Sequence, residues 1–123
     1  MMYKIEAIVR EEKLEDIKEA LHEIEVNGVT VSQVMGFGAQ RGYTTVVRGQ
    51  QIDVMMLPKI KFEIVVSSEE WKKKTIDKIR EVAYTGEVGD GKIFAYVITD
   101  AVKIRTGETG YDALQSESEK HEN

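Results

Sequence analysis

The chain has 123 residues, 41 % of them apolar and 32 % charged, the balance of a single soluble globular domain large enough to bury a core without cross-links. Net charge is −5, from 22 acids against 17 bases, which argues against a general nucleic-acid binder, because that needs a basic stripe to displace counterions. Cysteine is absent, which excludes disulfides and thiolate zinc sites, and no apolar run approaches the roughly 20 residues of a membrane span.

The opening MMYKIEAIVR goes directly into an alternating pattern without the layout of a signal peptide, so a cytoplasmic protein is expected. From Met2 to Arg10, Tyr3, Ile5, Ala7 and Val9 fall on one face and Lys4, Glu6 and Arg10 on the other, the pattern of a half-buried strand. The period then changes: Leu14, Ile17, Leu21 and Ile24 lie three or four apart, as on one helix face, and Asn27-Gly28 is a good stop. Val29 to Phe37 alternates again and predicts a second strand.

Gly38 to Val54 shows no sustained period and contains three glycines, which predicts a long loop of the kind that is usually functional or disordered. Pro58 is expected only at a strand start, so the third strand is placed at KIKFEIVV, from Lys59. Ser67 with Glu70 fits a capping box for a second helix that buries Trp71, Thr75, Ile76, Ile79 and Val82 or Ala83 and ends at Gly86. Ile93 to Ile98 reads as a fourth strand and AVKIRTG as a short fifth, followed by a solvated tail, QSESEKHEN. Two strand–helix–strand units in this order predict a ferredoxin-like α+β sandwich, βαββαβ. Helices would cover one face of its antiparallel sheet, so the other face needs cover and an oligomer is expected.

Three segments are candidate sites. TGEVGDGK, Thr85 to Lys92, has the phosphate-loop spacing of Gly86, Gly91 and Lys92. The next residue is Ile93 where that motif needs a hydroxyl for Mg²⁺, and a strand follows where it opens a helix. Successive N–H groups in such a turn can cradle an anion, and Lys92 adds a charge. A C-cap glycine followed by a Gly-Asp-Gly turn explains the same spacing without a ligand. In KIRTG, Lys103 and Arg105 would share one side of a strand, as bases on an exposed edge also do. GFGAQRG, Gly36 to Gly42, is not the dinucleotide fingerprint, and a hinge for the long loop accounts for it.

Enzymatic readings lack parts. His22 falls among solvent-facing helix residues and His121 in the tail, neither with a plausible nucleophile or metal partner. Asp90 beside Lys92 could in principle act as a base, but turn chemistry is the commoner reason for an Asp between two glycines. No catalytic residue is assigned.

Together, GFGAQRG, RGQQIDVMMLPKIKFEIVV, TGEVGDGKIF and IRTG resemble the PII nitrogen-regulatory signalling proteins, the GlnB/GlnK family. The resemblance runs from about Met2 to Leu114, so residues 1–114 are expected to be one PII-like domain and 115–123 a polar tail. It implies a ferredoxin-like homotrimer with ATP or ADP in the clefts between subunits. It also identifies residues of about 38–54 as the T-loop, whose shape is set by cleft ligands and selects the partner. Gly89, Asp90, Gly91 and Lys92 would line the phosphates, and Lys103 and Arg105 would reach them from a neighbouring subunit. Gly36, Gly38 and Gln40 would form the T-loop base beside the nucleotide, while Thr30, Glu63 and Val65 fall on the adenine and ribose side. Gln40 would bridge Mg²⁺ that presents 2-oxoglutarate with ATP, and Lys59 would meet the 2-oxoglutarate carboxylate. Arg48 matches the loop arginine that enters the cytoplasmic mouth of an ammonium channel, so membrane association through that transporter is implied. A solvated loop charge is the alternative reading of Arg48, and the apolar residues of VVRG beside it favour a docking tip. A relative that regulates nitrogenase or a biosynthetic enzyme, or an adenylate sensor without a 2-oxoglutarate response, fits the same motifs.

Four positions depart from the family pattern. Lys103 replaces an arginine and loses the bidentate fork, and Ala39 removes a basic residue common before the glutamine. Ile52 stands where many relatives carry the tyrosine that is uridylylated, and Gln50 removes a serine that some phosphorylate. Ligands rather than modification at those two sites are the expected input, with Tyr43, Thr44 and Thr45 left as other hydroxyls in the loop.

Overall fold

The computed structural model describes residues 1–39, 45–47, 50–52 and 54–115. In chain order these form β1 (Met2–Arg10), a 3-10 turn (Glu11–Lys13), α1 (Leu14–Glu23), β2 (Thr30–Ala39), β3 (Thr45–Val47), β4 (Gln50–Ile52), β5 (Val54–Val66), α2 (Glu69–Ala83), β6 (Gly91–Ile98) and α3 (Tyr111–Leu114). The main sheet has the order β2-β5-β1-β6 and is antiparallel throughout, so each strand–helix–strand unit spans an intervening strand. This is the ferredoxin-like α+β architecture predicted above.

Alternation decides the core. Ile5, Ala7 and Val9 of β1 pair with Ile64, Phe62 and Ile60 of β5, all buried, and Ile17, Leu21, Ile79 and Ala83 of the helices pack on them. The intervening residues face the other way. That helix-free face carries Lys4, Glu6, Lys61 and Glu63, joined by ion pairs of 3.2–3.7 Å, with Phe94 and Tyr96 of β6 49 % and 44 % exposed beside them. Hydrogen bonding from Lys61 and the nearby charge of Lys4 hold the Glu63 carboxyl below its ordinary pKa, outweighing the opposing effect of desolvation. Among the described residues, no helix is long and apolar enough to cross a membrane.

Several expectations are corrected. β5 does not start after Pro58 but runs through it from Val54. β1 pairs with β5 only from Lys59 onward, so at Pro58 the strand has β2 on one side alone, and an edge tolerates the missing N–H. The long excursion is not wholly irregular: β3 and β4 pair over Thr45↔Ile52, Val46↔Gln51 and Val47↔Gln50, in keeping with the β-branched run of Thr44 to Val47. Ser68, not Ser67, caps α2, its Oγ accepting the Trp71 amide at 3.1 Å, and the helix ends at Ala83 rather than Gly86. The fifth strand is a single bridge, Val102↔Thr109, closing a turn in which the Gly107 amide donates to the Lys103 carbonyl at 2.8 Å. Lys103 and Arg105 therefore do not alternate along a strand.

Candidate functional site

The glycine loop between α2 and β6 is folded around one carboxylate. Asp90 Oδ2 accepts the backbone amides of Thr85 at 2.8 Å and Gly86 at 3.0 Å, while Oδ1 accepts the Thr85 hydroxyl and, at 3.0 Å, Nε of Arg10. Burial favours the neutral carboxyl, but the hydrogen bonds from Thr85, Arg10 and Gly86 outweigh it and hold Asp90 well below the usual carboxylate range. Gly91 then enters β6 at φ 104°, where a Cβ would sit 1.8 Å from the Ile8 carbonyl oxygen. Only glycine fits that approach of two backbones.

Two cations, one from the end of β1 and one from the middle of β5, hold the loop's carbonyls. Arg10 and Lys59 are register partners across β1 and β5. Arg10 donates to the Val88 carbonyl at 2.8 Å and Lys59 to the Gly89 carbonyl at 2.8 Å. Burial and the Arg10 charge lower the Lys59 pKa. Gly36 of β2 leaves room for this arrangement, since a Cβ there would lie 2.9 Å from Lys59 Cγ. Gly36, Lys59, Gly89, Asp90, Gly91 and Lys92 are thus gathered at one end of the sheet, and Gly38, paired with Met55, extends the same strand pair.

The other predicted residues that the structure describes lie at the opposite end. Thr30 of β2 pairs with Glu63 of β5, and Val65 follows on the same helix-free face. A cavity of about 550 Å³ adjoins Val65, lined also by Gly28, Trp71, Tyr111 and Gln115. Lys103 donates to the Gln115 carbonyl at 2.8 Å, which ties the KIRTG turn to this end. The glycine loop and this turn flank opposite ends of β6, whose seven residue steps from Gly91 to Ile98 span about 23 Å. One triphosphate cannot touch both groups within a single chain. Gln40, Arg48, Tyr43 and Thr44 lie outside the described residues, and of Thr45, Gln50 and Ile52 only the strand placement is described. Among the described residues no cluster of three or more His, Cys, Asp or Glu side chains could hold a metal ion.

Reading the sequence missed Arg10 and Thr85. The alternation of β1 places Arg10 on the helix-free face, but nothing local to it signals a partner 80 residues away.

Fold and site together define a small ferredoxin-like protein that carries a glycine loop, backed by cations, at one end of its sheet. The family described as nitrogen regulatory protein P-II matches residues 2–108, and the chain belongs to that family of signalling proteins. It is 49 % identical over 113 residues to the nitrogen regulatory protein P-II of Rhodospirillum rubrum, covering 92 % of this chain and all of that one. Among solved structures it is similar to GlnK of B. subtilis, with a TM-score of 0.75, 39 % identity and coverage of 92 % of this chain and 98 % of the other. A B. subtilis GlnK–ATP complex aligns with a TM-score of 0.74 at 36 % identity, covering 92 % and 97 %.

Proposed function

We propose that this chain is a nitrogen and energy-status sensor that works as a homotrimer, with ATP or ADP bound in the clefts between subunits. The observation that carries this reading is the division of the candidate residues into two groups at opposite ends of β6, which a shared cleft would reunite from two chains. One subunit would supply Gly36, Gly38 and the loop Gly89 to Lys92 to the phosphates. Its neighbour would supply Lys103 and Arg105, with Thr30, Glu63 and Val65 on the base and ribose side. The similarity to a GlnK–ATP complex supports the nucleotide, and a carboxylate spent on closing its own loop suits a reader of phosphates rather than a hydrolase. Asp90 then serves the nucleotide by shaping the loop.

The effector would be 2-oxoglutarate, meeting Lys59 and Gln40. Mg²⁺ would arrive with ATP and neutralise phosphate charge, held by the phosphates and Gln40. Occupancy of the cleft would bias the shape of residues 38–54, which dock to a partner, in our reading a cytoplasmic-side ammonium transporter met by Arg48. A ligand shifts such an equilibrium only by its differential affinity for the two shapes, and coupling of about 1–3 kcal/mol corresponds to roughly 5- to 150-fold in partner affinity. An adenylate sensor indifferent to 2-oxoglutarate is the second reading, favoured by the Lys59 ammonium being already engaged with the Gly89 carbonyl.

Calorimetric titration of ATP and ADP with Mg²⁺, repeated with 2-oxoglutarate and with product followed over hours, tests the proposal. ATP binding tightened by 2-oxoglutarate without hydrolysis is the expected result. Nucleotide binding unmoved by 2-oxoglutarate selects the adenylate sensor, and no binding of either nucleotide overturns both.

A further inference from the structure

A carboxylate in a loop meant for polyphosphate is an electrostatic contradiction, and the structure contains its resolution. The Asp90 side chain is 23 % exposed, and its charge lies two residues from Lys92. Three of its acceptor contacts are filled by neutral donors, the Thr85 amide and hydroxyl and the Gly86 amide, which fix the loop's shape but add no positive charge. Arg10 is the cation that meets it, at 3.0 Å, with a side chain only 16 % exposed. The same guanidinium also donates to the Val88 carbonyl at 2.8 Å. One planar group thus pairs with the carboxylate through Nε and holds the Val88 carbonyl through Nη2, while its Nη1 lies 4.0 Å from the largely exposed Glu12 carboxylate.

We infer that Arg10 is a positioning residue for nucleotide binding, acting through Asp90 and Val88: it cancels the negative charge of the glycine loop and so sets its preference for the more highly charged nucleotide. The inference rests on the reading of this loop as a phosphate site. A purely structural strut would stabilise the loop equally for any nucleotide. Charge cancellation instead predicts a penalty, once Arg10 is neutralised, that grows with each negative charge on the ligand, because a like charge a few ångströms away repels in proportion.

The test is nucleotide affinity of the full chain by calorimetry at fixed ionic strength, for wild type, Arg10→Gln, Arg10→Lys and the double variant Arg10→Gln/Asp90→Asn, each checked for folding by circular dichroism. Arg10→Gln is expected to weaken ATP roughly tenfold and ADP only about threefold, the gap closing in high salt. Arg10→Lys should keep the wild-type ATP-to-ADP ratio even if both affinities fall. The double variant should bring that ratio back toward wild type. Unchanged affinities in Arg10→Gln, or equal losses for ATP and ADP, overturn the inference while leaving the nucleotide reading intact. Should Arg10→Gln fail to fold, the ratio in Arg10→Lys and Asp90→Asn decides: a shift toward ATP in Asp90→Asn with none in Arg10→Lys supports charge cancellation, and no shift in Asp90→Asn overturns it. A wild-type protein that binds neither nucleotide overturns the parent reading and this one with it.

Discussion

The ammonium of Lys59 donates a 2.8 Å hydrogen bond to the carbonyl of Gly89, joining the middle of β5 to the glycine loop that precedes β6. A dicarboxylate arriving at Lys59, as proposed, would have to compete with that carbonyl, so the bond would link the proposed effector site to the shape of the glycine loop. Lys59→Met is expected to abolish any effect of 2-oxoglutarate while leaving ATP affinity within about threefold. Stability should change by less than about 1 kcal/mol, because loss of a hydrogen bond of about 0.5–1.5 kcal/mol is offset by relief from burial and from the Arg10 charge. Calorimetry and urea unfolding check the two halves.

Lys92 is the second residue of β6 and its side chain is exposed. Lys92→Ala should therefore leave the urea midpoint nearly unchanged and weaken ATP by about 1.5–3 kcal/mol, the range for a hydrogen bond to a charged group. ATP bound by this variant as tightly as by wild type would remove Lys92 from the phosphate site.

Asp90 makes loop stability depend on pH. Its folded pKa is depressed, so the stabilisation is fully present above the unfolded value of about 3.9 and is lost as pH falls below it toward the folded value. Asp90→Asn should be less stable than wild type at pH 7 by about 1–3 kcal/mol. The two proteins should converge as the solution is taken well below pH 4. Parallel stability curves across that range would show that the carboxylate charge is not what holds the loop.

Two glycines separate steric need from conformational preference. A Cβ at Gly91 meets the Ile8 carbonyl oxygen at 1.8 Å, whereas one at Gly107, φ 75°, meets nothing within 4 Å. Gly91→Ala should cost at least about 3 kcal/mol, or abolish folding, since β1 and β6 must part. Gly107→Ala pays only the left-handed backbone penalty of about 1–2 kcal/mol. Denaturant unfolding of both variants measures the difference.

Thr75 is fully buried on α2, and its hydroxyl has no hydrogen-bond partner in the described structure. Thr75→Val keeps the shape and removes the cost of dehydrating an unpaired hydroxyl. A gain of about 1 kcal/mol is expected, with an unchanged denaturant slope. A loss of stability would mean that the hydroxyl is satisfied, for instance by water.

The elements themselves were legible because their cause is local. Alternation from Met2 to Arg10 and a three-to-four spacing from Leu14 to Leu21 each name a buried face without reference to the rest of the chain. The glycine loop was legible for the same reason, as was the family through its motifs. Local rules misled where an answer depended on neighbours. Pro58 is admitted mid-strand because β1 stops one register step short of it, and KIRTG bends because Gly107 turns the chain, its amide donating to the Lys103 carbonyl while the Lys103 amide donates to the Glu108 carbonyl.

From the sequence alone came the order of strands and helices, the buried stripe of each and the family to which the chain belongs. The tertiary structure decided what those residues face. Strand register alone sets Arg10 beside Lys59, and with it brings both cations to a loop 80 and 30 residues away, where both hold its carbonyls and Arg10 pairs with Asp90. The length of β6 holds the glycine loop and the KIRTG turn at opposite ends of one sheet. Both outcomes are long-range geometry, determined by which backbones pair and over how many residues, and no window of sequence contains them.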